Sequence, residues 1–215
     1  GYARDLPKGL AFTIEGYYKK SSNVIGYREG ASFLMINDPS DANQFSWEEN
    51  ITAGQSWSYG GELLLQKKTG KWTGWVGYTL SWTQLQFDDL NSGEKFYAKY
   101  DRRHDISLVN MYKINKEFTI SCVWVFSSGN ALNLPVETYQ AVPDMSYENE
   151  IPFMYTNYYG PKNSFRLRPY HRLDISLQHH QQREKSVHTW EIGMYNFYNR
   201  HNPYFYYVES NYNTG

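Results

Sequence analysis

No run of 18 consecutive apolar residues occurs anywhere in this chain of 215, so no transmembrane helix is read from it. A single cysteine, Cys122, leaves no internal disulfide. It falls in the apolar row of an alternating segment and reads as a small buried or lipid-facing filler. Lys and Arg number 21 against 22 Asp and Glu, a net charge of −1, and nothing electrostatic favours nucleic acid. Gly1-Tyr2-Ala3-Arg4 opens without a charged region followed by an apolar one, so no secretion signal is read there. The expectation is an exported chain that has been matured or cut. No segment combines capping residues with a 3.6-residue apolar period, and no convincing helix is found.

What the chain has in quantity is aromatic side chains: 21 Tyr, 11 Phe and 7 Trp, 18% of the residues. Aromatic residues suit a pleated, half-buried surface, so the weighting favours strands. Seven segments alternate with a period of two, near 9–27, 51–67, 71–87, 102–114, 117–130, 168–182 and 187–207. Between them, tight polar connections (Lys68-Thr69-Gly70-Lys71, Asn115-Lys116 and Arg183 to Ser186) alternate strictly with long ones near 28–50, 88–101 and 131–167. A membrane barrel carries short turns on one rim and long loops on the other, whereas a soluble meander has no physical reason to sort its loops by edge.

The faces of the segments agree. In 71–87 the even positions read Trp72, Gly74, Val76, Tyr78, Leu80, Trp82, and the odd ones Thr73, Trp75, Gly77, Thr79, Ser81, Thr83. Phe118, Ile120, Cys122, Trp124 and Phe126 form a second apolar row, and Leu173, Ile175 and Leu177 a third. Each strand has one greasy and one wetter face. Trp72 and Trp82 lie ten residues apart. At about 3.3 Å per residue and a tilt of about 40°, that is roughly 25 Å along a membrane normal, the height of the apolar band between two aromatic girdles. The competing reading is a pair of core tryptophans in a soluble sandwich.

Two segments resemble each other, Arg103-His104-Asp105-Ile106-Ser107-Leu108 and Arg172-Leu173-Asp174-Ile175-Ser176-Leu177. Parity puts Arg103, Asp105 and Ser107 on one inward row and Arg172, Asp174 and Ser176 on another, because an Arg at a lipid midplane costs about 2–4 kcal/mol. Two readings stay open for them: structural pairs that fix strand register, or contacts to a plug or a passing ligand. The strands run in the same direction with 117–130 between them, so each Arg is expected to reach across Ser127 or Val125 toward the far Asp, on one concave face near the long-loop edge. Replacing Asp105 or Asp174 by Ala is then expected to harm assembly more than ligand affinity.

No enzyme is expected. His104 points away from Asp105 and Ser107 on a strand, so these neighbours make no triad, and no glycine-flanked nucleophile stands out. His104, His171, His179, His180, His188 and His201 show no metal-ligand spacing, so no metal or cofactor is expected. The long connection 131–167 carries Tyr139, Tyr147, Tyr155, Tyr158 and Tyr159. These tyrosines stack on a sugar or chelate ring, or pack the loop over the mouth of the barrel.

The runs Tyr78-Thr79-Leu80-Ser81-Trp82-Thr83, Tyr100-Asp101-Arg102-Arg103-His104-Asp105, Tyr170-His171-Arg172-Leu173-Asp174 and Tyr195-Asn196-Phe197-Tyr198-Asn199-Arg200, with Asn202-Pro203, resemble the closing part of TonB-dependent outer-membrane receptors. The resemblance extends from about residue 8 to 208. It implies an all-β fold, an antiparallel meander of about seven long strands from a transmembrane barrel of roughly 22, with residues 1–215 its C-terminal portion and the N-terminal plug domain outside the chain. It implies location in the outer membrane of a Gram-negative bacterium. It also implies energy-coupled uptake of a scarce nutrient: a siderophore, haem, cobalamin or glycan. The implied partners are outer-membrane lipid, the receptor's own plug, the TonB system and the cargo. A passive porin or small barrel of about eight strands is the first alternative, and a soluble carbohydrate-binding β-sandwich the second. The meander is expected to keep sequence order, to contain no parallel pair and not to close on itself, since seven strands leave two unpaired edges.

Overall fold

A computed structural model describes residues 1–28, 50–141, 154–203 and 206. Among them there is no α-helix, and the main architecture is one antiparallel sheet. Its strands are β1 (Tyr2–Leu6), β2 (Leu10–Tyr27), β3 (Ile51–Lys67), β4 (Trp72–Gln86), β5 (Phe96–Tyr97), β6 (His104–Lys113) and β7 (Phe118–Ser127). Four short strands follow outside the sheet: β8 (Ala131–Leu132), β9 (Glu137–Ala141), β10 (Met154–Tyr158) and β11 (Phe165–Arg166). The sheet resumes with β12 (Tyr170–Gln182) and β13 (Val187–Met194).

The order is β1-β2-β3-β4-β6-β7-β12-β13, with β5 paired to the upper end of β4 beyond β6. Every neighbour is antiparallel and follows in sequence. The sheet does not close into a barrel, and its outer strands β1 and β13 are exposed along their whole length. The seven alternating segments all appear as strands. The last is shorter than expected: β13 ends at Met194, not near 207. The chain turns there because Asn196 and Asn199 take positive φ (52° and 50°), a conformation Asn tolerates and a ladder does not use. Asn202 then replaces a strand partner, its side-chain amide exchanging two hydrogen bonds with the backbone of His171.

Four tight connections share one rim. Gly70 takes φ 104° in the β3–β4 turn. Asn115 Oδ1 accepts the amides of Glu117 and Phe118 in the β6–β7 turn, both at 2.8 Å. The amide of Arg183 donates to Ser186 between β12 and β13. The fourth, Pro7-Lys8-Gly9, joins β1 to β2 as a three-residue loop with positive φ at Lys8 and Gly9. Strand β1 is an addition to the seven expected, because Pro7 reads as a break and five residues carry little apolar pattern.

The opposite rim carries the long connections, and their described residues include a buried cluster and two short ladders. Phe87, Leu90 and Phe96 form a buried cluster with Val24 and Leu85 packed against it. Gly26 and Gly54 make room for Phe87: a Cβ on Gly54 would lie 2.4 Å from the Phe87 ring. Strand β8 pairs with β11, and β9 with β10.

Candidate functional site

In an antiparallel ladder, residues directly opposite point to the same side, so the register sorts every strand residue to one of two faces. The row Thr13, Leu64, Gly77, Ser107, Val125, Arg172 runs straight across β2, β3, β4, β6, β7 and β12 on one face. The row Phe12, Leu65, Val76, Leu108, Trp124, Leu173 crosses on the other. All six carboxylates in strands of the main sheet, Asp5, Glu15, Glu62, Asp105, Asp174 and Glu191, fall on the first face. None falls on the second. That second face leaves large apolar side chains uncovered, up to 70% for Trp190 and 75% for Ile192. Alternation written in the sequence thus becomes a polar and an apolar surface.

Aromatic rows border the apolar face at both ends. Trp82 stacks on Tyr59 with centroids 5.4 Å apart, and Tyr59 on Tyr18 at 6.5 Å. Near the turn rim Trp72 meets Tyr112 at 4.5 Å, and Phe118 stacks on His179 at 4.7 Å. Trp72 and Trp82 therefore share a face and mark opposite ends of β4. Cys122 lies on the same face, opposite Asn110 and Ile175.

The Arg and Asp residues singled out by their repeated pattern do not form one cluster. Arg172 bonds its own strand neighbour, Asp174: Nε lies 3.0 Å from both carboxylate oxygens, and the ion pair closes to 2.9 Å at Nη2. Its other amino nitrogen donates to the hydroxyls of Tyr170 and Tyr195, and the guanidinium covers the Tyr195 ring at 4.0 Å. Asp174 Oδ1 also accepts the amide of Asn196 at 2.9 Å. This group fastens the chain where it leaves β13.

Arg103 behaves otherwise and corrects the expectation. It lies outside β6, and its guanidinium sits 4.7 Å from the Trp82 ring and 5.1 Å from that of Tyr97. It pairs with Asp101 at 3.4 Å, not with Asp105 or Asp174. Asp105 is on the polar face opposite Thr79 and Ser127, with no ion pair among the described residues. Neither Arg103 nor Arg172 reaches across Ser127 or Val125 to a far Asp.

The pattern gave no special place to Asp101, which the structure makes central. It is 1% exposed. One carboxylate oxygen accepts the Thr83 amide, and the other receives Arg103 and Arg166. Arg166 also donates to the Asp101 carbonyl and approaches Tyr97 at 4.9 Å. Asn163 is buried beside it and donates to the Tyr97 carbonyl. The knot ties the β4–β6 connection to the one between β7 and β12. Its sequence signal is an acid beside two arginines at the foot of a strand, in Asp101-Arg102-Arg103.

Of the loop tyrosines, Tyr139 and Tyr155 lie in the β9–β10 ladder, opposite Thr156 and Gln140. Tyr158 ends that ladder and is exposed, as is Tyr159. Tyr147 lies outside the described residues. The hollow lined by Trp72, Gly74 and Trp75 opens at the turn rim, far along β4 from these tyrosines. His104 shares its Nδ1 with the Tyr78 hydroxyl at 2.9 Å, while Asp105 and Ser107 occupy the other face. No protein-family model matches the chain, and no curated protein or solved structure is found similar to it.

Proposed function

We propose that the chain is a wall segment of a TonB-dependent outer-membrane receptor, taking part in energy-coupled uptake of a scarce nutrient of the siderophore, haem, cobalamin or glycan class. The observation that carries the membrane half of this reading is the segregation of all six sheet carboxylates to one face and of most of the uncovered apolar bulk to the other. A soluble protein rarely leaves so large an apolar surface bare. A β-sandwich would cover it with a second sheet about 10 Å away, and among the described residues no such sheet packs there. Lipid is the cover that fits. The sorting of four tight turns to one rim and the long connections to the other supports the same reading. Unpaired edges at β1 and β13 suit a sheet continued by further strands.

The receptor half rests on the quoted motif runs. In this reading the polar face looks onto the plug. The Arg172–Asp174 group holds the wall, and Tyr139, Tyr147, Tyr155, Tyr158 and Tyr159 belong to the extracellular loops that meet cargo. The test is fractionation of the native protein from its source cells, with uptake of iron chelates, cobalamin and oligosaccharides measured in cells with and without the gene. Recovery in the outer membrane, and gene-dependent uptake abolished by a protonophore, are expected. Uptake unaffected by the protonophore would replace the receptor by a passive porin. Recovery as a soluble monomer without detergent would contradict the membrane reading itself.

A further inference from the structure

The two ends of the apolar face differ in one respect: cations stand over the aromatic rings at the loop rim alone. Lys20 is the direct cross-strand partner of Trp57, with its ammonium 5.7 Å from the ring centroid. Lys95, arriving from the β4–β6 connection, sits over the same ring at 3.8 Å. The Arg103 guanidinium covers Trp82 at 4.7 Å. At the turn rim Trp72 meets Tyr112 and Phe118 stacks on His179, and no Lys or Arg stands over Trp72, Tyr112 or Phe118 among the described residues. No sheet carboxylate shares the face to neutralise these charges. The one acid in contact, Asp101, is buried and shared between Arg103 itself and Arg166, so two guanidinium charges meet a single carboxylate and the group keeps a net positive charge.

A ring beneath an ammonium ion holds it in place without discharging it. Such a cation is free to engage an anion on its other side. At the boundary between an apolar band and water, the anion that recurs is a lipid phosphate, and basic groups near an anionic leaflet attract it strongly. We propose that Lys20, Lys95 and Arg103 form a binding site for the phosphates of a phosphorylated lipid in the leaflet beside the loop rim, with Trp57 and Trp82 against its sugar or glycerol portion. This rests on the membrane reading above and adds to it a partner of defined chemistry and a fixed side.

The test uses the full-length protein in detergent, with diphosphoryl lipid A as probe and phosphatidylcholine as the uncharged comparison, bound lipid being counted by native mass spectrometry. Lys20 and Lys95 are exposed, so K20E/K95E leaves the fold intact, and its heat-modifiable gel mobility is checked alongside. The wild type retains lipid A in preference to phosphatidylcholine, and K20E/K95E weakens retention on the order of tenfold. Lys19→Glu makes the Lys20 charge reversal one residue away on the polar face and leaves retention unchanged. Equal retention by wild type and K20E/K95E, or an equal loss in K19E, overturns the site. A wild type that binds neither lipid and stays soluble without detergent overturns the membrane reading and the site with it.

Discussion

The segments beginning at Arg103 and Arg172 share the pattern Arg-x-Asp-x-Ser and similar positions at the head of a strand, yet their arginines choose opposite partners. Arg172 takes the aspartate two residues ahead; Arg103 takes the one two residues behind. The difference lies in what arrives from elsewhere. At Arg172 the turn after β13 delivers the Asn196 amide and the Tyr195 hydroxyl to the outer side of β12. Asp174 and Arg172 are thereby held together on the polar face. At Arg103 the residue Asp101 is already fixed to the Thr83 amide beyond the end of β6, and Arg166 comes in from 65 residues away to share it. The same local sequence therefore serves a partly exposed clamp along one strand in one place and a buried joint between loops in the other.

Removing each acid in turn sharpens that contrast. The largest loss is expected for Asp101→Ala, which strands two partly exposed guanidinium groups and an amide around a buried position: about 3 kcal/mol of stability, read from urea unfolding of the detergent-solubilised protein. The coupling of Asp101 with Arg166 in a double-mutant cycle is expected to exceed that of Asp174 with Arg172, since the Asp101 carboxylate is fully buried whereas about a quarter of Asp174 is exposed. Asp174→Ala is expected to cost about 1–3 kcal/mol through the unsatisfied Arg172 and Asn196 groups, and to loosen protection of the Asn196 amide in hydrogen exchange. Asp105→Ala, with no ion pair to lose, is expected to fall within about 0.5 kcal/mol. An Asp105 effect as large as that of Asp101 would mean that the symmetric pattern, not the local surroundings, governs both sites.

Much of the sheet was legible because a strand's period of two is a local property. Trp72 to Trp82 and Phe118 to Phe126 announce their faces without reference to any neighbour, and the tight turns announce the pairing. Asp101 was not legible as a joint, because its burial depends on Arg166 and Asn163 returning across the loop rim. The bed for Phe87 was hidden for the same reason: Gly26 and Gly54 acquire meaning only when β2 and β3 lie beside the end of β4. At the C-terminal side, aromatic alternation continued past Met194 and invited a longer strand, while two Asn residues in positive φ decided otherwise. Local pattern set the strands, and the candidate site depended on contacts between distant segments.

The claim on which the rest stands is that the apolar face meets lipid and the polar face meets the hydrated lumen around the plug. Leu177 and Gln178 are neighbours on β12 that the register sends to opposite faces. Nitroxide labels placed singly at L177C and Q178C, with Cys122 replaced by Ala in the full-length protein in a bilayer, report the contrast through collisions with oxygen and with a water-soluble nickel chelate. The account expects the label at 177 to favour oxygen and the label at 178 to favour nickel. Equal, water-like access to nickel at both positions would contradict it.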